Sequence, residues 1–296
     1  MQNNLLVILG PTASGKTELS IKLAKKYNGE IVSADSRQVY KGMDVGSGKV
    51  TKKEMAGIPH WLLDVANPKR RFSVAQYQKM ALKKIKDIQK RGKLPILVGG
   101  TGFYIQSIVD GIVIPEVKPD WALREKLEKI ALPDLVKRLA RLDPKRAATL
   151  DQNNPRRVIR ALEIATKLKG PVPTLGSKEP RFKTLQIGIL KSPDELKKNI
   201  KKRLLKRLQT NAMINEVKKL HETLSWKRLE EFGLEYRFVA QYLQNKIAKE
   251  EMIKKIQIES EHYTKRQMTW FKRDKKIHWI KNQKETPALV NEFFLF

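Results

Sequence analysis

The sequence predicts an α/β fold, in which a parallel β-sheet is flanked by helices and carries a helical insertion. Three observations support this prediction. Short apolar segments alternate with segments of helical spacing through the first third of the chain, as a parallel α/β sheet requires. A glycine-rich loop lies between the first apolar segment and the first helical one. After Gly111 the sequence becomes helical, charged and interrupted by prolines, and strand-like residues return only at 184–190.

The pattern predicts the elements in chain order. Residues 114–180 are expected to form the helical insertion, and residues 1–113 with 181–296 to form the α/β core. The last part of the core is mostly helical, with Ser192 as an expected N-cap, and it ends in a short strand and a helix. In the first third, strands are expected at 5–9 and 30–36 and helices at 16–27 and 72–93. Residues 94–111 are expected to begin as a strand and to continue as a helix after two glycines.

The first loop contains a complete phosphate-binding motif. Gly10, Gly15, Lys16 and Thr17 match the pattern G-x-x-x-x-G-K-[ST], so the core is expected to be P-loop NTPase-like. Glycines let backbone N–H groups point at a phosphate, and the helix N-terminus adds its positive partial charge. Lys16 is expected to reach a terminal phosphate and the Thr17 hydroxyl to bind Mg²⁺. A plain glycine-rich turn is the alternative. The residues expected to hold phosphate are Gly10, Pro11, Thr12, Ala13, Ser14, Gly15, Lys16 and Thr17.

Charge is the strongest signal in the composition. The chain has 61 Lys and Arg against 31 Asp and Glu, a formal net charge of +30. Such an excess favours a polyanionic partner, because each neutralised phosphate releases condensed counterions. A solubilising surface, or a lysine-rich proteome, is the alternative.

Cysteine and apolar content point to a cytoplasmic protein. There is no cysteine, which excludes disulfides and zinc fingers. No apolar run approaches the roughly 20 residues that span a bilayer, and the first strand follows "MQNN" directly, where no signal peptide fits. We therefore expect a cytoplasmic protein without a membrane segment.

Two polar residues follow expected strands, at the sheet edge where ligands bind in open α/β folds. Asp35 follows the second strand and suits an Mg²⁺ ligand or a general base; a helix N-cap is the alternative. Thr101 follows two glycines where an ordinary P-loop ATPase has an acidic residue for Mg²⁺. A simple turn residue is the alternative for Thr101.

Basic residues form three further candidate sites. Arg156, Arg157 and Arg160 lie near a helix start, where they could clamp a diphosphate or an RNA backbone or form a solvated face. Arg203 is one of many cations in its helix. The segment 264–271 interleaves basic and aromatic residues, as RNA-binding surfaces often do, although its apolar residues could belong to the core. The four histidines match no metal-site spacing.

Seven segments together resemble the bacterial tRNA dimethylallyltransferase family. They follow the family's order from residue 10 to about residue 271, and so cover nearly the whole chain. The segments are "GPTASGKTELS", "SADSRQVYKGMDVGSGK", "PHWLLD", "ILVGGTGFY", "NNPRRVIRALE", "GLEYR" and "TKRQMTWF".

The resemblance implies a prenyl transfer to tRNA. The loop is implied to hold the diphosphate of dimethylallyl diphosphate, not ATP, and the accepting atom is N6 of the adenine immediately 3′ of the anticodon. Asp35 is the implied general base. Thr101 matches a threonine near the reacting centre, and Arg157 and Arg203 match arginines that hold the diphosphate. From the residues themselves, Mg²⁺ is the expected cofactor, with Thr17 and Asp35 as its expected ligands.

The resemblance also implies an anticodon stem-loop as the macromolecular partner. The insertion resembles a mobile domain that closes on the anticodon stem, and a monomer is expected. The residues implied to contact tRNA are Asp35, Ser36, Arg37, Gln38, Thr101, Arg124, Arg156, Arg157, Arg160, Gly233, Tyr236, Arg237, Lys265, Arg266 and Gln267.

Two functions of other classes stay open from the residues. A P-loop ATPase or nucleoside kinase with a basic surface predicts ATP turnover without RNA. A non-catalytic RNA-binding protein that senses a nucleotide predicts binding without covalent change. Neither explains why two glycines and Thr101 end the third strand while "DSRQ" follows the second.

Overall fold

The computed structural model describes residues 3–115, 117–172 and 181–294. The end of the expected insertion, 173–180, therefore lies outside the described residues. The strands are β1 (Asn4–Leu9), β2 (Gly29–Ala34), β3 (His60–Trp61), β4 (Leu94–Gly99), β5 (Lys183–Ile189) and β6 (Ile277–Ile280). The helices are α1 (Lys16–Lys26), α2 (Lys52–Met55), α3 (Val74–Lys90), α4 (Gly102–Val109), α5 (Trp121–Leu127), α6 (Leu132–Leu142), α7 (Pro144–Thr149), α8 (Pro155–Leu168), α9 (Pro193–Gln209), α10 (Ala212–His221), α11 (Trp226–Glu231), α12 (Leu234–Leu243), α13 (Lys249–Phe271) and α14 (Thr286–Phe294).

The six described strands form one sheet in the order β3-β2-β4-β1-β5-β6. Every pairing is parallel, which confirms the predicted fold class. Parallel strands are connected through helices on the two faces, so both faces of the sheet are covered. The central strand β1 is buried along its whole length.

The two faces of β1 belong to separate hydrophobic clusters, because side chains alternate along a strand. Leu5, Val7 and Leu9 pack with residues of α3, α4 and α9–α13. Leu6 and Ile8 pack on the other face with residues of α1 and α14. The sheet is therefore the layer between two helical layers.

The helices begin where the sequence supplies N-caps. Ser192 accepts from the backbone N–H of Glu195, whose side chain accepts in return from the N–H of Ser192, forming a capping box. This confirms the predicted N-cap. Ser73 and Gln76 form the same arrangement at the start of α3.

The chain divides into two units, each packed mainly against itself. Met1–Gly111 and Glu179–Phe296 make up the sheet unit, and Ile112–Lys178 make up the helical unit. The helical unit has its own core, formed by residues that include Leu135, Leu139, Val158 and Leu162. Within the described residues, no helix has both the length and the apolar character needed to cross a membrane.

Candidate active site

The candidate active site lies where β1, β2 and β4 end. The strands are adjacent and parallel, so the loops that follow them meet at one edge of the sheet. The phosphate loop (Gly10–Thr17) follows β1, Asp35 follows β2, and Gly100 with Thr101 follows β4. The sequence predicted this meeting from the strand ends alone.

The phosphate loop uses left-handed backbone at three positions. Gly10, Ala13 and Gly15 have φ of +148°, +61° and +94°, a region that glycine enters without strain. A Cβ on Gly10 would also lie 3.2 Å from the carbonyl oxygen of Ile189 in β5. The α1 helix starts at Lys16, in the last two residues of the loop, so its unpaired N-terminal N–H groups are available to an anion.

The Lys16 side chain folds back over the loop. Its Nζ donates to the carbonyl oxygen of Pro11 at 2.6 Å. Loss of hydration, and next the positive charge of Arg203, lower the pKa of Lys16 to about 7, while Asp35 acts in the opposite direction. An anion bound beside Nζ would favour the charged form of this amine and raise its pKa.

Two neighbouring cavities share the loop and Asp35. The larger, of about 700 Å³, is lined by residues of the phosphate loop and α1, and also by Asp35, Asn199 and Arg203. The smaller, of about 140 Å³, is lined by Asp35, Arg37, Arg207 and Tyr263 among others. The residues that line both are Thr12, Ala13, Asp35, Ser47 and Arg203.

Asp35 caps a turn rather than a helix. Its Oδ1 accepts from the backbone N–H groups of Arg37 at 2.8 Å and Gln38 at 3.2 Å. The residues that follow are in turns, and the next helix begins only at Lys52. The carboxylate is thereby oriented by its own chain, with Oδ1 engaged and the group as a whole on the wall of both cavities.

Thr101 connects the end of β4 to the Asp35 turn. It precedes α4 but its side chain makes no capping bond there. Instead Oγ1 accepts from the backbone N–H of Ser36 at 3.0 Å, and Thr101 lies close enough to Tyr263 to influence the pKa of its hydroxyl. Burial, and then the charge of Asp35, raise the pKa of Tyr263 to about 12, so this phenol stays protonated. Thr101 is thus more than a turn residue.

Two arginines of α9 lie over the segment after the Asp35 turn. A Cβ on Gly48 (φ +63°) would lie 2.5 Å from an Nη of Arg203 and would overlap the guanidinium of Arg207. Arg207 donates to the carbonyl oxygen of Gly46 and to Glu235, both at 3.2 Å. Arg203 forms no hydrogen bond or ion pair with the described residues. Reduced hydration, and next Arg207, lower the pKa of Arg203 to about 10, which still leaves it charged at neutral pH.

The half-buried Glu216 and the buried Tyr236 hold that segment in place. Glu216 accepts from the backbone N–H groups of Asp44, Val45 and Gly46 at 2.6–3.0 Å. Tyr236 donates its hydroxyl to Glu216 at 2.8 Å. Burial, and next Glu216, raise the pKa of Tyr236 well above its usual value. Tyr236 is 1% exposed, so its side chain lies inside the protein and not on the surface.

The other predicted contact residues near this edge differ in exposure. Arg37 is half-buried, and its Nε has no hydrogen-bond partner among the described residues. Gln38 donates to the carbonyl oxygen of Gly48 at 3.3 Å. Gly233 (φ +72°) precedes α12 with open space beside it, and Arg237 is half-buried.

The α13 helix presents two different faces in its predicted RNA-binding segment. Lys265 and Arg266 are exposed. Gln267 is 6% exposed and bonds to the backbone of the phosphate loop and of Gly100. Trp270 is half-buried and packs beside Gly102, where a Cβ would overlap its ring. The interleaved basic and aromatic pattern therefore comes from one exposed face and one packed face.

The helical unit holds the remaining predicted residues. Arg124 and Arg160 both pair with Glu163, Arg124 at 2.7 Å, and Glu163 is 1% exposed. Burial opposes the charge of Glu163, but hydrogen bonds from Arg124 and Arg160 hold its pKa below the usual value. Arg156 and Arg157 are exposed, and Arg157 lies 3.7 Å from Asp151. The predicted roles of these arginines toward a diphosphate or RNA stay predictions.

Sequence reasoning missed Arg207, Glu216 and Tyr263. The spacing of Arg203 and Arg207, one helical turn apart, was a usable signal for the first. Glu216 is a lone acid in a basic segment, which gives no signal of its role. Tyr263 lies one turn before Gln267 on α13, and no pattern indicated that it faces Asp35.

Comparisons with known proteins match nearly the whole extent of the chain. The family model of the IPP transferases matches residues 38–274. A protein of Acetivibrio thermocellus named tRNA dimethylallyltransferase is 40% identical over 287 residues, which are 94% of this chain and 91% of that protein. A protein of Citrifermentans bemidjiense named tRNA dimethylallyltransferase 2 is 41% identical over 98% of this chain and 94% of its own length.

Solved structures give the same result. The full-length tRNA isopentenylpyrophosphate transferase from Bacillus halodurans superposes with a TM-score of 0.73 at 36% identity, covering 99% of this chain and 96% of that one. A eukaryotic dimethylallyltransferase described as acting on tRNA superposes with a TM-score of 0.83 at 26% identity, covering 99% of this chain and 80% of that one.

Proposed function

The chain belongs to the IPP transferase family, and from that premise we propose that it transfers a dimethylallyl group from dimethylallyl diphosphate to tRNA. The acceptor is N6 of the adenine immediately 3′ of the anticodon. One observation carries this proposal: Lys16, Arg203 and Asp35 line a single cavity beside the phosphate loop. That cavity offers cations for a departing diphosphate and a carboxylate for the proton of the attacking amine.

The phosphate loop suits the leaving group. As the C1–O bond breaks, negative charge grows on the diphosphate. The Lys16 ammonium, the Arg203 guanidinium and the loop N–H groups are donors that stabilise that charge where it develops. Arg203 suits this role because it lines the cavity with no partner among the described residues. We propose Arg157 as a further ligand of the diphosphate.

Asp35 suits the acceptor side. An adenine within a stacked loop cannot reach a cavity in the protein, so the base must be flipped out. Its N6 attacks C1 of the dimethylallyl group, the C1–N6 bond forms as the C1–O bond breaks, and one N6 proton passes to the Asp35 carboxylate. Oδ1 is engaged by two backbone N–H groups, which leaves Oδ2 to face the base. Thr101, fixed against Ser36, lies beside this group.

The residues present fit a bound Mg²⁺. Within the described residues no three acidic or histidine side chains gather as a metal site, but Mg²⁺ commonly takes only one or two protein oxygens and completes its shell with phosphate and water. Thr17 is exposed in the larger cavity, and Asp35 lines the same cavity. The ion would supply neutralisation of diphosphate charge; the Thr17 hydroxyl would hold it directly, and Asp35 would hold it through one of the ion's waters, which keeps Oδ2 available to the base.

We further propose that the protein works as a cytoplasmic monomer on an anticodon stem-loop. The exposed cations Arg156, Arg157, Lys265 and Arg266 support the RNA partner, and Arg124 and Arg160 of the helical unit are proposed to contact it as well. Ser36, Arg37, Gln38, Gly233 and Arg237 are proposed RNA contacts as well. Tyr236 is fully buried, so its proposed contribution is through the position of α12.

The test is direct. The purified protein is incubated with Mg²⁺, dimethylallyl diphosphate and an anticodon stem-loop carrying three consecutive adenines, and the RNA is weighed by mass spectrometry. We expect a gain of one dimethylallyl group, and no gain when the target adenine is replaced. ATP hydrolysis without any gain in RNA mass would refute the proposal in favour of a kinase-like function.

A variant pair tests the role of Asp35. Asp35→Asn keeps the shape and the turn but removes the proton acceptor, so turnover should fall by about 10²–10⁴-fold while stem-loop binding stays near wild type. Asp110→Asn, at the end of α4, is the matched control. Equal loss of turnover and of binding in Asp35→Asn would mean that Asp35 only supports the turn.

A further inference from the structure

Gln267 makes two hydrogen bonds that join two loops of the candidate active site. The residue lies in the last third of α13 and is 6% exposed. Its Oε1 accepts from the backbone N–H of Thr12 at 2.9 Å. Its Nε2 donates to the carbonyl oxygen of Gly100 at 2.8 Å. The two partners are 88 residues apart in the chain, and no direct backbone hydrogen bond joins them among the described residues.

The close approach of α13 explains the glycines after β4. A Cβ on Gly100 would overlap Nε2 of Gln267, and a Cβ on Gly102 would overlap the ring of Trp270. A larger residue at Gly100 or Gly102 would displace the side chain of Gln267 or of Trp270. The strand end is therefore built to receive α13, and Gln267 is the polar group at that contact.

Both anchored residues form walls of the cavities. Thr12 lines the larger and the smaller cavity, and Gly100 lines the larger. Gly100 also directly precedes Thr101, whose hydroxyl meets Ser36. A shift of either anchor would change the distance between the phosphate loop and the Asp35 turn.

We propose that Gln267 is a positioning residue for the phosphate loop, and that it does not contact RNA. The Gln267 amide accepts from the Thr12 N–H through its oxygen and donates to the Gly100 carbonyl through its nitrogen. Lys265 and Arg266 lie two and one positions earlier but are exposed, because each residue of a helix turns the side-chain direction by roughly 100°. This inference rests on the proposed diphosphate site.

The test replaces the amide and follows diphosphate and RNA separately. Gln267→Met keeps the length of the side chain but makes neither hydrogen bond, and Gln267→Asn is a milder variant whose shorter amide cannot reach both partners. Gln257→Met is the matched control, since the Gln257 amide bonds only to Glu261 on the same helix. Titration calorimetry measures inorganic diphosphate with Mg²⁺, and filter binding measures the anticodon stem-loop.

We expect Gln267→Met to weaken diphosphate binding about tenfold or more, which is the effect of roughly one lost hydrogen bond in a preorganised site. KM for dimethylallyl diphosphate should rise in step, and stem-loop affinity should stay within about twofold of the control. Gln267→Asn should lie between Gln267→Met and wild type. A stem-loop affinity that falls while diphosphate affinity holds would overturn the inference and make Gln267 an RNA contact. Unchanged values for both ligands would overturn it as well.

A ligand-free readout separates this inference from the proposed function. Hydrogen exchange of the peptide that contains Thr12 should be faster in Gln267→Met than in Gln257→Met, because the Thr12 N–H has lost its acceptor. A wild-type protein that binds no diphosphate would refute the proposed function, and the exchange experiment would still decide whether Gln267 anchors the loop. Equal exchange rates in Gln267→Met and Gln257→Met would show that Gln267 does not anchor the phosphate loop.

Discussion

Protonation of Lys16 should control how tightly the phosphate loop holds a diphosphate. The pKa of Lys16 is about 7 in the free protein, so at neutral pH about half of the molecules carry a neutral amine. A diphosphate next to Nζ favours the charged form and raises this pKa. Binding above pH 7 must therefore take up a proton, and affinity must fall as the pH rises.

The magnitude follows from the titration. With the pKa of Lys16 at about 7, about one molecule in ten is charged at pH 8 and about one in a hundred at pH 9. The Kd for diphosphate should then rise about tenfold per pH unit above neutrality, or about 1.4 kcal/mol per unit. Below about pH 6 the dependence on this group should vanish.

The assay is calorimetric titration of dimethylallyl diphosphate, with Mg²⁺, from pH 6 to pH 9 in two buffers of different ionisation enthalpy. The difference between the buffers gives the number of protons taken up. Lys16→Arg is the informative variant, because a guanidinium stays charged over this range. Because the ligand itself titrates, the contribution of Lys16 is the difference between wild type and Lys16→Arg in the slope of log Kd against pH. Lys25→Arg, exposed in the last turn of α1, is the control.

Identical slopes of log Kd against pH in wild type and Lys16→Arg would refute the reasoning.

The lowered pKa of Lys16 also makes the stability of the folded protein depend on pH. Because the folded pKa of Lys16 lies below its usual value, the unfolded chain binds more protons between about pH 7 and 10.5, and the free energy of unfolding must rise with pH across that window. Lys16→Arg should remove this rise, as measured by urea unfolding at a series of pH values.

Three further perturbations test the supports of the site. Gly48→Ala should weaken diphosphate binding by displacing the guanidinium groups of Arg207 and Arg203, and should cost about 1–2 kcal/mol in stability because of its left-handed φ. Gly57→Ala has a similar left-handed φ with open space around it and should cost stability alone, so equal diphosphate affinity in the two variants would contradict the contact. Glu216→Gln places an amide NH₂ against backbone donors and should lower the free energy of unfolding by about 1–3 kcal/mol in urea, whereas the exposed Glu222→Gln should be neutral. Glu163→Gln leaves two arginines without their buried carboxylate and should lower the free energy of unfolding by about 3–5 kcal/mol at neutral pH. Because the pKa of Glu163 in the folded protein lies below its usual value of 4.5, the advantage of wild type over the variant should be complete above that usual value and fade as the pH falls through the lower, folded pKa.

The strands and the phosphate loop were predictable because their signals are local. A buried run followed by a glycine-rich motif and a helical period specifies β1, the loop and α1. The β3 strand has only two residues, His60 and Trp61, too few for any period to register. Its place at the sheet edge depends on pairing with β2, which is a property of the assembled sheet.

The direction of side chains explains what the sequence could not settle in the site. The α9 helix carries many cations, and only the contact with Gly48 distinguishes Arg203, which is itself exposed, and the half-buried Arg207 from the lysines beside them. Motif similarity grouped Gln267 with Lys265 and Arg266, although the first is buried and the other two are exposed. A motif records which residues occur together, whereas the direction in which each side chain points depends on how the helix packs against the rest of the protein.

The strand order also determines when, during synthesis of the chain, β1 can pair with each of its two neighbours. The central strand β1 pairs with β4 on one side and with β5 on the other, and about 90 residues separate the ends of β4 and β5. At about 5–20 residues per second, a ribosome needs roughly 5–18 s to cover that distance. During this interval the apolar edge of β1 has no partner from its own chain, and an unpaired edge of this kind invites pairing with other chains. The helical unit between β4 and β5 therefore lengthens the time for which this edge of β1 stays unpaired in a nascent chain.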